Sequence, residues 1–77
     1  MPQQQLTKQD ANQIALDYLK KQKNTDKINV TIVEEQNDGW TFKGTCPIDL
    51  EGHGWVERFE VVIDIKGKVK KTEYALL

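Results

Sequence analysis

The sequence is poor in most of what marks an enzyme or a stapled fold. One cysteine, Cys46, leaves nothing for an internal disulfide, so the core must hold without covalent help, as suits a reducing compartment. With one histidine, His53, the chain also lacks the thiolate or imidazole pair of a structural zinc site. No apolar run approaches the ~20 residues of a membrane span, and the polar start, Met1-Pro-Gln-Gln-Gln-Leu6, is not a signal peptide. The expected location is the cytoplasm, away from any membrane. An excess of positive charge is missing too: 11 basic against 12 acidic residues give a net charge of −1, which disfavours a nucleic-acid partner. There is no glycine-rich phosphate loop, because each of the five glycines is accounted for by a turn or a bulge. The adjacent carboxylates Glu34 and Glu35 would point to opposite faces of a strand, which does not suit concerted acid–base work.

What is present is a clear folding pattern. Seventy-seven residues, 38% hydrophobic and 30% charged, make one small globular domain (residues 1–77) behind a flexible lead-in at 1–6. Thr7 and Asp10 form a helix start, with a hydroxyl for a free amide and a negative charge on the positive end of the dipole. Ala11, Ile14, Ala15, Tyr18 and Leu19 then fall on one stripe, and Lys20, Lys21, Lys23 and Asn24 close the helix, predicted over 7–23.

Four strands follow. Residues 27–35 alternate with Ile28, Val30 and Ile32 on one side, and Gln36-Asn-Asp-Gly39 turns the chain. The second strand sets Trp40, Phe42, Gly44 and Cys46 on one face, with Pro47 opposite the start of the first strand, where its missing N–H costs little. The Gly52-His-Gly54 loop leads to the longest strand, whose Phe59, Val61, Ile63 and Ile65 form an apolar row. Pairing Leu50 with Trp55 sets Cys46 against Phe59, Phe42 against Ile63 and Trp40 against Ile65, all apolar pairs. Asp64-Ile-Lys-Gly67 is a turn that places Ile63 opposite Val69.

The last strand admits two readings. A bulge near residues 70–72 turns Tyr74 and Leu76 into the core. Without it, Val56, Val62, Tyr74 and Leu76 form an open patch suited to a two-fold homodimer. The shortness of the domain favours the bulge. Either way the architecture is α+β, one N-terminal helix on a four-stranded antiparallel meander, α-β-β-β-β.

The carrying residues of a resemblance are now placed: Thr7-x-x-Asp-Ala11-x-x-Ile14-Ala-Leu16, Asp38-Gly-Trp40-x-Phe42, and Val61-Val-Ile-Asp64-x-x-Gly67-x-Val69. In these the chain resembles a PepSY-type, cystatin-like domain. That resemblance implies a non-catalytic domain that restrains or guides a peptidase by binding it, and it brings no catalytic residues. Family members are typically secreted or membrane-linked. The sequence departs from the pattern in lacking an export signal and in the extra residues 45–54.

Three constellations bear on function. Asp49, Glu51 and His53 would share a face of an extended chain with Cys46 nearby, as candidate metal ligands; a polar loop is the competing reading. Cys46 and His53 could serve as nucleophile and base, but the pairing sends Cys46 inward. An outward face joining Lys43, Arg58, Val56, Val62 and Tyr74 with Trp55 at its rim is the candidate protein-binding surface. Trp55, Tyr74, Arg58 and Lys43 could alternatively stack and neutralise a single-stranded nucleic acid. The reading the sequence favours is a non-enzymatic, cofactor-free protein-interaction module, its partner unknown.

Overall fold

The structure, a computed structural model, describes residues 6–77. Most of the predicted lead-in, residues 1–5, lies outside the described residues, while Leu6 packs against the core. The helix α1, Lys8–Lys23, begins as its sequence dictates. Thr7 caps it by accepting the Asp10 amide at 3.1 Å, and Asp10 accepts the Thr7 amide at 3.2 Å, a reciprocal box that satisfies two free donors. Asn24, at φ 51°, takes the left-handed conformation that stops the helix. Ala11, Ala15 and Leu19 are buried, with Ile14 and Tyr18 flanking them.

Four strands follow in a single antiparallel sheet of order β1-β2-β3-β4: β1 Asn29–Gln36, β2 Gly39–Leu50, β3 His53–Asp64 and β4 Val69–Leu76. The fold is therefore α+β with an α-β-β-β-β order. Each strand is a hairpin neighbour of the next, and the helix covers one face. The core is Trp40, Phe42, Cys46, Phe59, Val61 and Ile63 of the sheet against Ala11, Ala15 and Leu19 of the helix. Trp40 closes it at the helix N-terminal side, and its Nε1–H has no acceptor among the described residues.

The register differs from the expected one in the β2–β3 hairpin. Trp40 pairs with Ile63, Phe42 with Val61, Gly44 with Phe59, Cys46 with Glu57 and Ile48 with Trp55. The expected pairs Leu50–Trp55, Cys46–Phe59, Phe42–Ile63 and Trp40–Ile65 are thus displaced by two residues. The cause is the turn. Glu51 (φ 53°) and Gly52 (φ 83°) are both left-handed, which makes a two-residue loop and draws His53 and Gly54 into β3.

In β1 a bulge between Val30 and Ile32 turns Ile32 outward, 52% exposed, and Val33 inward in its place. The expected Ile28–Val30–Ile32 row is broken there. At the other hairpin Ile63 does face Val69, and Gly67 takes a positive φ of 86°. A bulge at Lys70 then pairs Val62 with Lys71, Val61 with Thr72, Phe59 with Tyr74 and Glu57 with Leu76. Tyr74 and Leu76 accordingly lie on the helix face, as the bulge reading required, but neither enters the core: they are 36% and 53% exposed.

Candidate functional site

The helix is shorter than the central hairpin. Its N-terminal half lies over the β3–β4 turn, where the Ile14 side chain approaches Gly67. Its last residue, Lys23, ion-pairs with Glu57, and the ammonium sits 3.7 Å from the centre of the Tyr74 ring. The cation thus meets the negative end of the helix dipole, a carboxylate and an aromatic face together. Beside it, the Thr72 hydroxyl donates to the Tyr18 phenol oxygen at 3.2 Å, tying β4 to the helix.

Beyond Glu57 neither β1 nor β4 pairs with the hairpin among the described residues, and Ile48 is the one residue of that stretch still packed against the core. β1 ends at Asn29, opposite Thr45, and β4 reaches Val56 with a single bond from the Leu77 amide at 3.1 Å. Residues 47–56 therefore stand out as a two-stranded arm, and the molecule is 52 Å long against 19 and 17 Å across. Because the Val56 carbonyl is engaged by Leu77, Val56 and its partner Pro47 form a non-hydrogen-bonded pair in β2–β3. The Pro47 nitrogen therefore points to the open edge past β1. The expectation that its missing N–H costs little is consistent with this geometry.

The arm carries apolar side chains on both faces. Ile48, Leu50 and Trp55 alternate on the helix side; Pro47 and Val56 occupy the other. Trp55 is 48% exposed, Leu50 44% and Val56 45%, and Leu76 beside them is 53% exposed. An exposed apolar group of this size commonly marks an interaction surface.

The sequence-predicted site residues are sorted by this geometry. Lys43, Val56, Arg58 and Val62 lie on the sheet face away from the helix, whereas Trp55 and Tyr74 lie on the helix face. They do not form one surface: Trp55, paired with Ile48, lies on the helix face of β3 itself, and the Lys70 bulge turns Tyr74 to that same face. The open patch of Val56, Val62, Tyr74 and Leu76 is therefore absent. The same division separates the cations Lys43 and Arg58 from the aromatic rings Trp55 and Tyr74, so they make no common stacking track for a nucleic acid.

Lys43 is already occupied, 2.9 Å from Glu34 and 3.4 Å from Glu60. The Glu34 carboxylate and, behind it, Glu60 raise its pKa. The outer face is thus a ladder of paired charges, with a shallow concavity of ≈ 510 Å³ beside Arg58, Glu60 and Glu73. Tyr74 was expected inside the core. It has the right face but lies past the end of the helix, and is 36% exposed. Burial, then the neighbouring Tyr18, Glu57 and Cys46, push its phenol pKa up.

Asp49, Glu51 and His53 are not brought together. Asp49 pairs with Gly54 and His53 with Leu50, so the two side chains leave opposite faces of the arm, with Glu51 in the turn between them. Among the described residues no group of three histidine, cysteine or acidic side chains is placed to hold a metal ion. Cys46 is 1% exposed. Burial pushes its thiol pKa up, Glu57 adds to that, and Lys23 partly offsets it. His53 is four cross-strand pairs further along the arm, roughly 13 Å away at ~3.3 Å per residue. They do not form a nucleophile–base couple.

What sequence reading missed is the arm as a unit. Its signal was present in two apolar strand ends, Ile48 to Leu50 and Trp55 to Val56, meeting at a glycine turn. No helix among the described residues is long and apolar enough to cross a membrane. Compared with family models, with curated proteins and with solved structures, the chain matches none.

Proposed function

We propose that this chain is a small, non-catalytic protein-binding module that holds its partner with the β2–β3 arm. The observation that carries the reading is Trp55, half exposed on an arm that the rest of the fold leaves uncovered. Tryptophan is over-represented where binding energy concentrates, and its rigid ring loses little entropy on docking. At 48% exposure it leaves about 120 Å² in water, worth about 3 kcal/mol when covered. Leu50, Ile48 and Leu76 would surround it and exclude water. The resemblance to PepSY-type domains suggests a peptidase as the partner class, and the arm, formed largely from the residues that depart from that pattern, would supply this chain's own specificity. Cytoplasm remains the proposed site of action.

The test is photo-crosslinking. A photoreactive phenylalanine analogue at position 55 should capture a discrete partner in cells. The partner so identified should be retained by the intact chain used as bait, but not by Trp55→Ser or by a trimmed chain in which Asn-Gly replaces residues 47–56. That replacement joins Cys46 to Glu57, a hydrogen-bonded pair that a two-residue turn can close. Both variants should stay folded, since no fully buried core residue lies in the arm. Undiminished binding by the trimmed chain would end the proposal.

A further inference from the structure

The sheet has two long edges, and they are not protected alike. β1 is interrupted by its bulge at Thr31 and carries Glu34 and Glu35 side by side. On the arm, Pro47 removes the donor from the β2 edge, and the β3 edge offers only Gly54 beyond Val56. Bulges, charge and proline are the usual means of keeping a strand edge from pairing. β4 is bulged only at its start, at Lys70; its charged side chains Lys71 and Glu73 pair with each other, and from Lys71 to Leu77 it runs regularly, with no proline.

The direction of its free groups follows from one bond. The Leu77 amide donates to Val56 at 3.1 Å, so Leu77, Ala75 and Glu73 turn their backbone polar groups toward β3. Thr72, Tyr74 and Leu76 turn theirs outward. We infer that this edge pairs with the same edge of a second copy, antiparallel about a two-fold axis at Tyr74, joining two four-stranded sheets into one of eight strands.

The side chains favour self-pairing in that register. On the helix face Thr72 meets Leu76 of the second copy, and the two Tyr74 rings meet at the axis. On the outer face Glu73 meets Ala75 of the second copy, and no like charges face each other. Lys71 neutralises Glu73 within its own strand, at 3.2 Å. The register forms about six main-chain hydrogen bonds and covers Leu76 and Leu77, which are 53% and 67% exposed in the single copy. A two-fold arrangement lets one surface serve both copies. This is independent of the arm, which projects beyond the end of the paired strands.

The test uses the charge pattern. Sedimentation equilibrium of the intact chain, from about 10 μM to about 1 mM, should show mass rising from one copy to two. Ala75→Glu sets a carboxylate against Glu73 of the second copy at two symmetric positions and should raise the dissociation constant about tenfold or more. Within one copy the same carboxylate faces Arg58, so the fold is kept. Adding Glu73→Lys should restore dimerisation, and Trp55→Ser should leave it unchanged. The Tyr74 and Leu76 amides should exchange with solvent more slowly as concentration rises. A single-copy mass throughout, or dimerisation that survives Ala75→Glu, overturns the inference; loss of dimer with Trp55→Ser alone would assign the contact to the arm.

Discussion

One oxygen of Asp64 organises the whole β3–β4 turn. Its Oδ1 accepts the amides of Lys66 and Lys68, each at 2.9 Å, while the Asp64 backbone pairs with Lys68 and Gly67. The Lys68 amide above all, with the Lys66 amide and the charges of Lys70 and Lys68, holds the carboxyl below its ordinary value of 3.8. A carboxyl more acidic in the folded chain than in the unfolded one stabilises the fold above that ordinary value, and the contribution is lost as pH falls through the lowered one. Urea denaturation at pH 6 and pH 3 should therefore show a larger loss for the native sequence than for Asp64→Asn, whose amide oxygen accepts at either pH. Equal losses would show that the carboxylate charge plays no part. This turn was legible because Asp-x-x-Gly advertises it. The other hairpin turn was not: Glu51 sits at φ 53°, a conformation that glutamate rarely adopts, and nothing in its side chain announces it.

Among the elements, β2 and β3 show what a period of two does and does not specify. Alternation assigned the faces within the strands correctly, and Phe42, Cys46, Phe59, Val61 and Ile63 are all core residues, but Ile65, expected in the same row, lies in the turn and is 57% exposed. It could not fix the register, because sliding a strand by two residues returns every side chain to the same face. Apolar partners were available in either alignment, so the turn decided. Gly44 marks the true one: its face is filled by the Phe59 ring. A Cβ there would lie 1.9 Å from the Asn29 carbonyl oxygen and 2.8 Å from the Phe59 ring. Gly44→Ala should thus cost about 3 kcal/mol, by pushing β1 off the sheet or displacing Phe59. Thermal denaturation checks this, and a loss under about 1 kcal/mol would mean that the β1 contact yields easily. The helix was the most legible element, since its stripe, its capping pair and its Asn24 stop are all local. The bulges at Thr31 and Lys70 are not local, and only the demand for buried area pointed to the second.

At the scale of the whole molecule, the radius of gyration is 13.4 Å, against about 11.5 Å for a compact chain of this length. The excess fits the arm, and no sequence pattern could give it: whether a strand is covered depends on where the helix ends relative to the sheet. Strand order equal to chain order has a further, kinetic consequence. Every strand pairing is a hairpin between consecutive segments, so the sheet can zip with small loops to close. The helix is different, since it meets the far end of the chain, as Tyr18 does Thr72. The hairpins should accordingly be formed at the rate-limiting barrier and the helix docked after it. Leu19→Ala should then speed unfolding several-fold and barely slow refolding in stopped-flow experiments, whereas Val61→Ala should slow refolding. The opposite partition would mean that the helix is already in place when the sheet closes.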